Sequence, residues 1–237
     1  RTVIFTNNDS AYAAALDLRA NGTQIVAIID ARNGTLGRAP VVMELKQRLE
    51  RLGNLKAPLL MIAEPGSGVE LCARFVHQPN SLPGKSNAPW VEPDNLAVLA
   101  EAPLDLLNQA REGTLFLAEV GDLNRTEQKG LLLIAGKLEK YNTRLICATA
   151  RTLPELVAQG GFDAKLYGAI ATVTVNVPSL RQHREDIPDL ANLFLLRSIE
   201  AKEVTPRHFS TAALNALRNY DWPGNLNQLE SVVRTLA

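Results

Sequence analysis

What the sequence lacks narrows it first. Only two of its 237 residues are cysteines, Cys72 and Cys147, and both lie in apolar stretches. Neither has a second Cys or a His at metal-ligand spacing. That excludes a disulfide framework and a Cys/His metal centre, and predicts two buried structural thiols in a reducing compartment. No apolar run reaches the roughly eighteen residues that a membrane span requires, and no signal-peptide pattern opens the chain. A cytoplasmic location and no membrane partner are therefore expected. An excess of one charge is missing too, since 25 Lys and Arg balance 25 Asp and Glu. A duplex-binding module usually carries a basic stripe, so this chain alone is not expected to grip DNA. No internal repeat is evident. The chain opens on Arg1 rather than Met, so the natural start is expected upstream.

What is present is an ordinary globular composition, 46% hydrophobic and 21% charged, and its length suits one large domain or two modest ones. Three zones follow. Residues 1–34 read as β-α-β: "TVIF", the helix "DSAYAAALDLRANG" with Asp9 or Ser10 as cap and Gly22 as terminator, and "TQIVAIID". Residues 35–178 alternate strands with helical stretches. "APLLMIA", "GTLFLAEV", "TRLICATA" and "ATVTVNV" are the near-continuous apolar runs of buried parallel strands. In "APVVMELKQRLERL", Val41, Leu45, Leu49 and Leu52 form one helical face. The stretch "QPNSLPGKSNAPWVEPDN" reads as loop. Residues 179–237 carry no strand signal and give three helices. In the last, Leu226, Leu229, Val232, Val233 and Leu236 share a side, and Asn225 after the "DWPGN" turn can cap it. Parallel strands joined by helices, followed by helices alone, predict an α/β sheet with an all-α appendix.

"PLLMIA" runs into "EPGSG" and then a helix near Glu70. Strand, glycine turn and helix are the geometry of a P-loop, in which backbone N–H groups and a helix N-terminus face phosphate oxygens. Gly66, Ser67 and Gly68 are the candidate phosphate cradle. A working loop continues with Lys, which neutralises phosphate, and Ser or Thr, which holds magnesium. Here Val69 and Glu70 stand there, an isopropyl group and a carboxylate. Taken alone the turn is a weak signal.

The neighbouring motifs give it context. "GTLFLAEVGD", "RLICATARTLPELV", "FDAKLYGAI", "VPSLRQHREDIPDL" and "YDWPGNLNQLESVV" follow one another in an order and spacing that resembles the AAA+ module of sigma-54-type enhancer-binding regulators. The family forms of three of these are GTLFLDEIGD, FREDLYYRL and YDWPGNVRELENVI. The resemblance covers residues from about 35 to 237 and implies a P-loop-type parallel sheet followed by a helical lid. It also implies self-association into rings and action on RNA polymerase carrying that sigma factor.

The departures fall on the chemistry. Ala118 stands where the family has the Walker B Asp, although the neighbouring Glu119 is kept. Ala150 replaces the first-sensor Asn, Asp163 and Ala169 replace arginines that reach a neighbour's nucleotide, and Asn227 replaces the second-sensor Arg. An arginine finger alone is worth about three to five orders of magnitude in rate. No catalytic residue, metal or cofactor is therefore expected, ATP binding is expected to be lost, and the chain reads as a regulatory scaffold and not an enzyme. The interval "VEPDNLAVLAEAPLD" is also shorter than its family counterpart, which holds the G-A-F-T-G-A loop that touches the sigma factor. Family members end in a helix-turn-helix, so DNA is expected as a partner through a C-terminal domain outside this chain.

The first thirty or so residues fit less well. Many relatives carry a receiver domain here, but a receiver starts with clustered acidic residues and this chain has Asn7 and Asn8 before Asp9. The stretch also resembles part of the large subunit of heterotetrameric sarcosine oxidases, without the glycine triplet that cradles a dinucleotide. At this length it cannot fold alone, and we read it as a remnant or an unusual N-terminal module packed on the AAA+ sheet rather than as a functional site. The alternative for the whole chain is a ligand sensor, since some relatives bind cyclic di-GMP through basic residues near the loop. Glu70 and Arg74, one helical turn apart, offer an i,i+4 pair at that point.

Overall fold

The protein was described from a computed structural model, which covers residues 37–53, 55–77 and 88–236. The β-α-β reading of residues 1–34, with its receiver and sarcosine oxidase comparisons, lies outside the described residues. The chain divides into two compact units. Of the described residues, one takes 37–48, 65–71 and 178–236, and the other 49–53, 55–64, 72–77 and 88–177.

The second unit is built on a parallel five-stranded sheet. Its strands are β1 (Leu59–Ile62), β2 (Trp90–Val91), β3 (Thr114–Leu117), β4 (Arg144–Thr149) and β5 (Val173–Asn176), in the order β2-β3-β4-β1-β5. Leu60 lies opposite Cys147 in one ladder and Thr174 in the other. The four apolar runs all became strands. Side chains alternate across the sheet, and both parities are buried here: Leu60, Leu115, Leu117, Leu145 and Cys147 on one face, Leu59, Met61, Phe116, Ile146 and Ala148 on the other. A sheet covered on both faces explains why the strands read as continuous apolar runs. The sheet departs from expectation at one edge. Trp90 and Val91, in the stretch read as loop, pair with Thr114 and Leu115 as β2. Two residues between Pro89 and Pro93 carry too short a pattern to show as a strand in the sequence.

Helices close the first face: α3 (Val98–Glu101), α4 (Pro103–Gln109), α5 (Arg125–Ala135), α6 (Leu138–Tyr141), α7 (Leu153–Ala158) and α8 (Ala164–Ile170), numbered so that α1 is Pro40–Leu52 and α2 is Val69–His77. A capping box opens α5: Asn124 Oδ1 accepts from the Thr126 and Glu127 amides at 2.8 and 3.1 Å, and Glu127 accepts back from Asn124 N at 2.7 Å. Leu99 of α3 packs so closely on α5 that a Cβ on Gly130 would lie 1.7 Å from the Leu99 carbonyl oxygen. Only glycine fits there. The shortened interval thus forms a helical corner with Ala102 at its apex.

Arg144 is the buried charge of this unit. Its guanidinium donates to the carbonyls of Leu52, Gly53 and Val76 at 2.6, 3.0 and 3.4 Å, so one cation meets the negative ends of α1 and α2. Burial pushes its pKa down to about 10. Beside it His77 Nδ1 lies 2.9 Å from Thr114 Oγ1 and meets Trp90 edge-on. Arg74 lies over the Trp90 ring and pairs with Glu92 at 3.2 Å. Cys72 and Cys147 are buried free thiols, as expected; burial raises both pKa values, that of Cys72 to about 12.

The first unit holds the lid helices α9 (Ile187–Glu200), α10 (Thr211–Asn219) and α11 (Asn225–Leu236), with no strand among the described residues after Asn176. Leu180, Ile187, Leu190, Phe194, Leu217, Trp222, Leu226, Leu229 and Val233 form its own core. Leu236 is 61% exposed, contrary to the helical-face reading, because the face turns out of this core after Val233. Asp186 is buried and accepts from the amides of Arg38 and Ala39 at 2.7 and 3.3 Å. Asp186 thus holds the chain just before α1, while the Val42 and Met43 amides of the helix bond to Ala39 O at 3.0 and 3.1 Å. No helix among the described residues is long and apolar enough to cross a membrane.

Candidate functional site

β1 ends at Ile62 and α2 begins at Val69, which places Pro65, Gly66, Ser67 and Gly68 in the connecting turn. Gly66 and Gly68 have φ of +74° and +85°, the left-handed region that a side chain disfavours. The Leu71 amide bonds back to Gly68 O at 3.0 Å. Ser67 is buried, and its Oγ is one of four buried side-chain polar atoms among the described residues with no hydrogen-bond partner. Val69 opens α2, and the acidic residue in its first turn is Glu70.

The lid meets this turn with backbone and amide groups. Asn225 is fully buried at φ +51°, donates from Nδ2 to Pro65 O at 3.0 Å and accepts at Oδ1 from Leu180 N at 2.8 Å. Leu226 N donates to Gly66 O at 2.9 Å. Asn225 was expected as a helix cap; its side chain instead reaches backward to Pro65 and Leu180. Leu226, Leu229, Val233 and Trp222 lie in the lid's own core, where Trp222 Nε1 donates to Leu217 O at 2.8 Å. The turn's role in the contact was missed by sequence reasoning. Its only signal was an Asn after Pro-Gly, a place where αL geometry is common.

The other candidates lie in the second unit. Ala118 and Glu119 follow β3, and Ala150 follows β4. Ala118 and Ala150 are exposed methyl groups. Glu119 has φ +51°, and its Oε2 accepts from Ala150 N at 3.3 Å. The Glu119 carboxylate thus rests on the backbone of Ala150. Beside it Arg151 pairs with Asp122 at 2.6 Å. Asp163 caps α8, taking the Leu166 amide at 2.8 Å, while its own amide donates to Gln128 at 2.9 Å. An arginine could not accept that amide. No cluster of His, Cys, Asp and Glu that could hold a metal occurs among the described residues.

Residues 36–180 match the model of the Sigma-54 interaction domain, and residues 181–237 that of the AAA+ ATPase lid domain. The transcriptional regulatory protein ZraR of Salmonella typhimurium is 32% identical over 91% of this chain and 55% of its own length. The chain spans about half the length of the curated relatives it matches. Among solved structures, NtrX from Brucella abortus in complex with ADP superposes with a TM-score of 0.75 at 27% identity, covering 95% of this chain and 55% of that one. The same protein in complex with ATP gives 0.74 at 25% identity, covering 96% and 56%.

Proposed function

This chain belongs to the sigma-54 interaction family of AAA+ transcriptional regulators, and from that premise we propose that it is a regulatory scaffold that does not hydrolyse ATP. The observation that carries the reading is Val69 at the first position of α2, where the phosphate-neutralising lysine belongs. Support comes from each further place where transition-state charge would be met. Ala118 has no oxygen for magnesium, Ala150 has none for an attacking water, and Asn227 has no charge. Asp163 brings the wrong charge, and it is engaged as a helix cap. Such losses act on the same charge development, so a single restored group leaves the remainder missing.

In this reading the chain acts by self-association and by carrying other parts of a longer regulator. DNA is held through a C-terminal domain outside it, in the cytoplasm. The G-A-F-T-G-A contact loop is absent from residues 91–105. We keep the division into an N-terminal segment 1–34, an α/β subdomain 35–178 and a lid 179–237 as part of the proposal.

The test is ATP turnover by the purified chain at millimolar ATP with magnesium. Background rates are expected, and Val69→Lys alone is expected to leave them there. Magnesium-dependent turnover that follows the protein through purification overturns the proposal.

A second reading, a nucleotide or cyclic dinucleotide sensor, is favoured by one observation: the buried Ser67 hydroxyl without a partner, in a turn that keeps its glycine geometry. The NtrX structures with ADP and ATP supply the precedent for a nucleotide on this fold. Thermal melts separate the two. The scaffold reading expects no shift with ATP, ADP or a cyclic dinucleotide at millimolar concentration. A rise of several degrees with any of them favours the sensor.

A further inference from the structure

The turn that has lost its lysine keeps both glycines, and the lid supplies a reason. A Cβ on Gly66 would stand 2.5 Å from the Gly224 carbonyl oxygen and 3.3 Å from Asn227 Cβ. A Cβ on Gly68 would stand 3.0 Å from Leu226 Cδ1. Gly66 therefore faces lid backbone at a distance no side chain accommodates, while Gly68 makes a tight contact with a lid side chain and is held by its φ of +85°. Two carbonyls of the turn are taken as well, Pro65 O by Asn225 Nδ2 at 3.0 Å and Gly66 O by Leu226 N at 2.9 Å.

We propose that the Pro65–Gly68 turn is a clasp that seats the lid's Trp222–Leu226 turn through protein groups alone. The role goes beyond the scaffold reading, since it assigns the turn a holding function, and its test is separable from that reading. Three features make it a clasp and not a chance touch. The first N–H groups of a helix have no partner inside the helix, and at the start of α11 Gly66 O supplies one. Asn225 occupies the αL conformation, which Asn tolerates better than most residues, and this sets its amide between Pro65 and Leu180. The amide uses both ends, a donor to Pro65 O and an acceptor for Leu180 N, so turning it over breaks both bonds.

Amide hydrogen exchange on the full chain, read residue by residue by NMR, tests the clasp. The Leu226 amide is the reporter, because its protection depends on Gly66 O rather than on a helical carbonyl. Asn225→Asp is the main variant. It keeps an acceptor for Leu180 N and tolerates αL, but loses the donor and sets a carboxylate oxygen against Pro65 O. Exchange at Leu226 is expected to rise about ten-fold, with the Ile146 and Cys147 amides of β4 unchanged. Gly66→Ala, which drives a methyl group onto the Gly224 carbonyl, is expected to raise the same amide. An unchanged Leu226 in both variants overturns the clasp. So does a uniform rise that includes β4, which would make Asn225 a general folding residue. ATP with magnesium added to the unaltered chain addresses the other reading: slower exchange at Ser67 and Gly68 counts against the scaffold, while the two variants alone decide for or against the clasp.

Discussion

The Pro65–Gly68 turn and the strand ends at Ala118 and Ala150 are constrained in opposite ways. In the turn the backbone is fixed, with Gly66 and Gly68 both at positive φ. At the strand ends Ala118 and Ala150 are exposed, while Leu117 and Thr149 just before them stay buried in the sheet. The difference follows from what each feature does besides chemistry. Gly66 resists substitution, because a methyl group there collides with the Gly224 carbonyl, and Gly68 is held by its φ of +85°. An exposed side chain at a strand end has no such constraint, and its replacement costs the fold little.

Four measurements sharpen or break that contrast, beginning with the largest effect. Leu229→Ala opens the lid's fully buried core and is expected to cost about 2–5 kcal/mol, several degrees in Tm; a loss below about 1 kcal/mol in a denaturant titration would mean that the lid core tolerates a cavity. Gly66→Ala comes next, at about 1–3 kcal/mol, from a strained φ together with the contact on Gly224. If its melting curve overlays that of the unaltered chain, the turn is no more constrained than the strand ends and the contrast fails.

Acid supplies the third. The His77 pKa is lowered from its ordinary value, first by desolvation, then by the Arg74 and Arg144 charges. The unfolded chain therefore binds a proton there more readily than the fold does, and the His77 contribution, complete above pH 6.5, is lost as pH falls through the folded-state value. Tm is expected to decline from pH 7 to pH 5, with a shallower decline in His77→Gln. Equal slopes would show that His77 is not the group responsible. The smallest effect is expected from Ala118→Asp, within about 0.5 kcal/mol because the site is exposed, with no gain of turnover; a large destabilisation would show that the strand end is as constrained as the turn.

Much of this was legible in the sequence, because the signals were long. Four apolar runs gave four strands, and Leu49 and Leu52 are the buried part of the α1 face. The helices of the lid appeared where expected. The edge strand β2 was missed because two residues carry no period. The site was legible as a set of residue types, since Gly66, Ser67, Gly68, Val69 and Glu119 could be placed by order and spacing. Its contacts were not. Asn225 meets Pro65 across 160 residues, and Asp186 meets Ala39 across 147. No local pattern encodes a bond to a distant carbonyl or amide.

The packing of Leu99 on Gly130 has a bearing on what this fold can be made to carry. With the carbonyl seated where a Cβ would fall 1.7 Å away, the approach of α3 to α5 has no slack. Foreign sequence spliced into α3 would prise the two backbones apart. Ala102, at φ −144° and ψ 57°, sits between the two short helices, three residues beyond Leu99. Length added at that corner is expected to leave Leu99 in place, and length added a few residues earlier to cost the domain this close contact.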